Sequence, residues 1–217
     1  SVQQTFATIG RGLPPIIAPA IVADLAIDPA LLGVYVAIAA ASSLLFQLGC
    51  GSFILRHGAL RVSQAALALV ATGLAVSAAG PLVFWALAAV VGAGGSAMST
   101  PASSHLLARY TEARWMPLVF SIKQTAVPLA LLISGLLGPF LTGLWGWQGA
   151  LLATAAACYL FVALMQPLRR EFDADRQPGY PVRLGDFATV TAEVLRGGAL
   201  RNLALASFAF NGLQTVF

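Results

Sequence analysis

Two cations, Arg11 and Lys123, stand inside long apolar stretches of this 217-residue chain. A charge in hydrocarbon is costly, so such residues face a cavity or a partner. Arg11 precedes Asp24 by thirteen residues, about 20 Å along a helix from the far boundary of its stretch. Lys123 follows Arg114 by nine residues, about 13 Å into its own stretch, so the spacing puts both cations at similar depth. Away from their ends the stretches hold no Asp or Glu. The counter-charge must come from beyond this chain or from a solute, and a guanidinium is built to grip a carboxylate or similar anion through charge-assisted, bidentate hydrogen bonds. The competing reading is snorkelling, in which each long side chain runs back to the membrane interface. Gln124 beside Lys123 and Gln47 carry amides that suit a polar solute or a neighbouring helix. Pro14, Pro15 and Pro19 follow Arg11 and remove backbone donors where only protein or water can compensate.

Other chemistry is missing from the sequence. It contains no Ser/His/Asp set, no metal-ligand cluster and no Gly-Lys-Ser/Thr phosphate cradle, which argues against an enzyme, a cofactor, a metal site or an ATP-driven pump. His57 falls in a connection and His105 near a helix end, and Cys50 and Cys158 sit in separate apolar runs as small core residues.

The elements that must position Arg11 and Lys123 are membrane-spanning. Hydrophobic residues make up 59% of the chain and charged ones 9%, with mean hydropathy +0.84, too little polar surface for a water-facing domain. The net charge of +4 does not indicate nucleic acid, because the basic residues lie in short clusters between apolar runs without interleaved aromatics. Six stretches reach the length of about 20 residues needed to cross a bilayer, near 5–25, 31–55, 62–80, 82–107, 116–141 and 147–168. Alternate connections carry Arg56 and Arg61, then Arg109 and Arg114, then Arg169, Arg170, Arg176, Arg183, Arg196 and Arg201. The positive-inside rule makes that side cytoplasmic. The expected organisation is an all-α, six-helix transmembrane bundle over 1–168, a cytoplasmic linker over 169–200 with a short amphipathic helix from Leu184 to Arg196, and the start of a seventh span over 201–217. Both ends read as cut from a longer chain, leaving a C-terminal bundle as the missing partner.

This layout resembles the major facilitator superfamily, whose transporters join two six-helix bundles by a long cytoplasmic loop. The closest local likeness follows the second span, where GSFILRHGALR supplies Gly51, Arg56, Gly58 and Arg61, while Leu55 stands at the family's Asp. The resemblance implies that this loop latches one conformational state, and the lost carboxylate questions that latch; otherwise Arg56 and Arg61 only set topology. In the fifth span SGLLGPFLTG supplies Gly135, Gly138, Pro139 and Gly143, but Ser134 and Thr142 break the family's antiporter spacing, so Gly138 and Pro139 are read as packing or bending residues. GAGGSAMSTPASS in the fourth span lacks the family's Arg, with Ala88 at the aligned position, and its small residues suit close helix approach. The inverted-repeat symmetry of such bundles is echoed by GRGLPPIIAP and GGSAMSTP in the first and fourth spans.

The resemblance implies a multi-pass transporter in a cell membrane, a bacterial inner membrane by expectation, in contact with the lipid bilayer and a small-molecule substrate. Its expected activity is secondary transport by alternating access, with a small anion held between Arg11 and Lys123. An exporter of apolar or cationic compounds, and a non-transporting six-helix protein, are the alternatives. The topology is directly testable. In a Cys-free background, a cysteine at Gln177 should resist an impermeant thiol reagent added to intact cells and react once the membrane is opened.

Overall fold

The computed structural model describes residues 2–173, 176–180, 192 and 196–216. Every regular element among them is helical. The chain opens with α1 (Val2–Ile16) and α2 (Ala18–Leu25), separated at Ile17 by a 46° bend. The prolines explain the break. Pro14 and Pro15 cannot donate to the carbonyls of Gly10 and Arg11 one turn back, and Pro19 enters the first turn of α2, where a missing N–H costs nothing. α1 begins earlier than the hydropathy expects, so Gln3 and Gln4 lie inside the helix and are buried.

The next three spans are single helices, α3 (Ala30–His57), α4 (Ala59–Ser77) and α5 (Leu82–Tyr110). α6 (Met116–Leu164) is broken into two helical parts at Gly146, whose φ of 73° lies in the left-handed region. Among the described residues four helices are long and apolar enough to cross a membrane, and α1 with α2, taken as one bent span, makes a fifth. Six are expected from the hydropathy, and the break at Gly146 falls between the fifth and sixth of those. A 3₁₀ turn (Gln166–Leu168) and the one-turn α7 (Arg169–Phe172) follow.

α4 is buried along most of its length and α3 almost nowhere, so α4 is the inner helix of the bundle. Glycines set its approach to α5. A Cβ on Gly73 would lie 2.9 Å from the Gly92 Cα, and one on Gly95 would lie 2.5 Å from the Ala66 carbonyl oxygen. Gly94 faces the other way, under the Phe46 ring of α3. The small-residue run of the fourth span thus packs against two helices at once, the expected use of glycine where apolar lipid gives no drive for association. On the other side of α4, Leu67, Val70 and Leu74 join Ala7, Leu13 and Ile17 of the first span and Leu151, Ala155 and Cys158 of the last in one buried core.

Ser1–Pro181 form one compact unit and Val182–Phe217 a second. The first residues after the bundle thus belong with it. Asp173 accepts hydrogen bonds from the backbone N–H groups of Leu60 at 2.8 Å and Arg61 at 3.1 Å, satisfying the orphan donors at the start of α4. Gln177 N–H donates to the Leu55 carbonyl at 2.8 Å. The expected helix from Leu184 to Arg196 lies almost wholly outside the described residues. In the second unit, α8 (Gly198–Val216) is helical.

Gly58 is what allows the Asp173 contact. Its φ of 93° is left-handed, and a Cβ there would fall 2.4 Å from the Asp173 carboxyl carbon. Gly58→Ala should destabilise the purified protein by about 2 kcal/mol, from backbone strain and loss of the cap. Asp173→Ala should cost about 1 kcal/mol. Because both remove one contact, the double variant should fall short of the sum in a thermal or denaturant titration.

Candidate functional site

Near the start of α1 the bundle holds a polar layer. Gln3 donates from Nε2 to the Ser63 carbonyl of α4 at 3.2 Å and accepts from Ser99 Oγ of α5 at 3.0 Å. Gln4 donates to Thr100 Oγ1 at 3.4 Å and accepts from Ser103 Oγ at 3.3 Å. Lys123, only 2% exposed, enters the same layer from α6. Its ammonium donates to the Thr100 carbonyl at 3.2 Å and to Ser104 Oγ at 2.5 Å, and lies 5.7 Å from the Phe120 ring centroid, within cation–π range. Lys123 is therefore solvated by protein dipoles and an aromatic face rather than by a carboxylate.

Arg11 occupies a different level. Gly12 meets Leu131 and Gly138 meets Leu13 and Ile16, so α1 and the first part of α6 run parallel in that register. Lys123, bonded to Thr100, is level with Gln4, which contacts the same residue. Arg11 lies seven residues further along, about 10 Å nearer the other end of the bundle. The equal depth expected from spacing is thus corrected. Counting from Arg114 locates Lys123 well, but α1 starts at Val2, and its parallel register carries Arg11 past the lysine.

Arg11 is exposed, as are Pro15 and Pro19, and their four-residue spacing puts all three on one open stripe of the first span. Neither a hydrogen bond nor an ion pair joins the guanidinium to any described residue, and the Tyr35 phenol of α3 lies within its electrostatic reach. Tyr35 packs edge-on to Trp85 with centroids 5.9 Å apart, and Trp85 meets Trp147 at 5.9 Å. The Trp85 indole N–H is buried without a hydrogen-bond partner. Beyond this cluster Trp147 Nε1 donates to Asp24 at 2.7 Å, tying the end of α2 to the last crossing. Tyr35 is five residues into α3 from the Asp24 end, so its neighbour Arg11 lies away from the Arg-bearing loops.

The remaining sequence-named residues distribute as follows. Gln47 and Gln124 are exposed on α3 and α6, apart from both Arg11 and the buried layer. Arg56 and Arg61 flank the α3–α4 turn at Gly58, while a Cβ on Gly51 would meet open space. Gly138 admits Leu13, Ile16 and Ile17 of the first span, and α6 continues through Pro139 without a break. Sequence reasoning passes over Gln3, Gln4, Tyr35, Trp85, Ser99, Thr100, Ser103, Ser104 and Asp173. A readable signal existed for part of the polar layer, since Ser99, Thr100, Ser103 and Ser104 inside an apolar stretch need partners.

No curated protein matches the chain. A family model described as Major Facilitator Superfamily matches residues 1–217. With its apolar crossings and their helical packing, the chain belongs to the Major Facilitator Superfamily and is a multi-pass membrane protein of that transporter family.

Proposed function

We propose that the chain forms the front half of a secondary transporter that alternates access between this bundle and a second, with an anionic solute bound first of all by Arg11. The linker and the Arg-bearing loops are assigned to the cytoplasm by their charge, and a bacterial inner membrane is the fitting location. The observation that carries the anion reading is the state of Arg11, a mid-span guanidinium on an open stripe with no hydrogen-bond or ion-pair partner among the described residues. A desolvated guanidinium without a counter-charge is unfavourable, so an arriving carboxylate gains two short N–H···O bonds while relieving that cost. Tyr35, within electrostatic reach of Arg11, offers its phenol O–H as a further donor. The proline-freed carbonyls of Gly10 and Arg11 leave this part of α1 able to bend around a solute.

Lys123 has a secondary part in this reading. Its ammonium already has two acceptors on α5, so it supports binding through the field it adds and through the hold it gives α6 on α5. Gln124 and Gln47, on exposed faces, are available to a solute or to the second bundle.

Reconstituted intact protein tests the assignment through uptake of small carboxylates. Arg11→Ala should raise the apparent Kd on the order of a hundredfold, the scale for truncating one partner of a buried charge pair. Arg11→Lys keeps the charge but not the planar fork and should still lose roughly tenfold. Lys123→Ala should change apparent affinity less than Arg11→Ala and lower thermal stability more, because it orphans two α5 acceptors. Unchanged affinity in correctly inserted Arg11→Ala would make the residue interfacial and remove the anion assignment.

A further inference from the structure

At the Arg-bearing end of the bundle, Arg56, His57, Arg61, Arg176 and Pro178 line a cavity of about 300 Å³. We propose that this cavity is a second anion site, separate from the Arg11 region, that takes a phosphate group. Arg56 and His57 are in the last turn of α3, Arg61 in the first turn of α4, and Arg176 follows α7. Topology needs only a surplus of cations on one side, whatever their arrangement. Here three guanidiniums and an imidazole converge from three segments on one volume, and no Asp or Glu is among its described lining residues.

The backbone holds the third segment in place. Asp173 caps α4, Arg176 N–H donates to the Asp173 carbonyl at 3.3 Å, and Gln177 N–H donates to Leu55 at 2.8 Å, so Arg176 is carried over the α3–α4 turn between two fixed points. The Asp173 carboxylate accepts from backbone N–H groups with both oxygens and is occupied as a cap. His57 Nδ1 donates to the Phe53 carbonyl at 3.3 Å, since that oxygen can only accept, which leaves Nε2 for a ligand. Guanidinium forks arriving from several directions match the tetrahedral oxygens of phosphate, and the volume suits a small headgroup. Two sources offer that chemistry: free phosphate or a phosphate monoester from the aqueous phase, and the headgroup of an anionic phospholipid at the membrane surface.

The test uses the purified intact protein and inorganic phosphate by calorimetric titration. Parallel titrations in an Arg11→Ala background keep phosphate bound near Arg11 from being counted. Nanodiscs of phosphatidylcholine with and without phosphatidylglycerol supply the lipid arm, read by native mass spectrometry of retained lipid. One saturable equivalent of phosphate, or selective retention of phosphatidylglycerol, is expected in the Arg11→Ala background, and whichever arm responds names the source. Arg61→Gln and Arg176→Gln should each weaken that binding roughly tenfold, the scale of one charge-assisted hydrogen bond, while Arg176→Lys falls between. These side chains are exposed, so folding should be kept, and the lysine variant preserves the charge that sets topology. The site is overturned if neither arm shows binding, or if binding survives Arg61→Gln and Arg176→Gln unchanged. Both results are independent of whether Arg11 proves to bind the transported solute.

Discussion

Hydrocarbon offers no hydrogen-bond partner, so every polar group carried into the span must find one inside the protein, at a cost of several kcal/mol where it does not. The inner polar layer is a worked answer to that constraint. Gln3 and Gln4 bring amides to the bundle interior, α5 meets them with Ser99, Thr100 and Ser103, and Lys123 closes the layer from α6 through the Thr100 carbonyl and Ser104. Removing any member would strand another. The layer therefore fixes the register of α1, α4, α5 and α6 as well as satisfying its own atoms, and apolar packing around Leu67 and Leu151 follows that register.

Against that background the two mid-span cations contrast. Lys123 has a complete local environment, and its positive charge is spread over a carbonyl, a hydroxyl and an aromatic face. Arg11, two turns further along, has an open stripe and a neighbouring phenol. Under the proposed reading, a bundle that spends so many groups on one ammonium and none on a guanidinium divides their roles. In that reading the first cation ties α6 to α5, and the second is left to meet an arriving solute. The bend at Ile17 lies beyond Arg11, where Pro14 and Pro15 have already removed two of the backbone bonds that would stiffen the helix, leaving those of Ile17 to Leu13 and of Ala20 and Ile21 to Ile17.

The fold was legible in the sequence because hydropathy and charge are read one residue at a time. Runs of about 20 apolar residues separated by Arg-bearing or uncharged turns mark out most of the long helices, and Gly146 falls where a break is expected between two of them. The site was legible only in part. Arg11 and Lys123 stand out by charge, but their relative depth depends on how α1 slides against α6, and that is set by Gly12 on Leu131 and Gly138 on Leu13, contacts with no signature along the chain. Gln3 and Gln4 escaped because a hydropathy boundary near residue 5 leaves them outside the span, whereas their partners on α5 draw them in. Asp173 escaped for the same reason on a larger scale, its partners being more than a hundred residues away in sequence.

The α3–α4 turn shows what such separations do to a motif. Leu55 stands where the resembled pattern has an acid, and position by position the loop has lost its carboxylate. The need for an acid does not come from that position, however. It comes from the unpaired N–H groups and partial positive charge at the start of α4, which any carboxylate reaching them can answer. Asp173 reaches them from beyond the last crossing, and Gly58, with a left-handed φ and no Cβ, leaves the room it needs. Supplying the acid from there changes its consequence. A carboxylate within the loop would bind the loop to itself or to a neighbouring helix, whereas one at the head of the linker ties the linker to α4. Any movement of the linker must then either carry the start of α4 with it or give up about 1 kcal/mol of capping, and a contact of that size is strong enough to bias two conformations and weak enough to be exchanged between them.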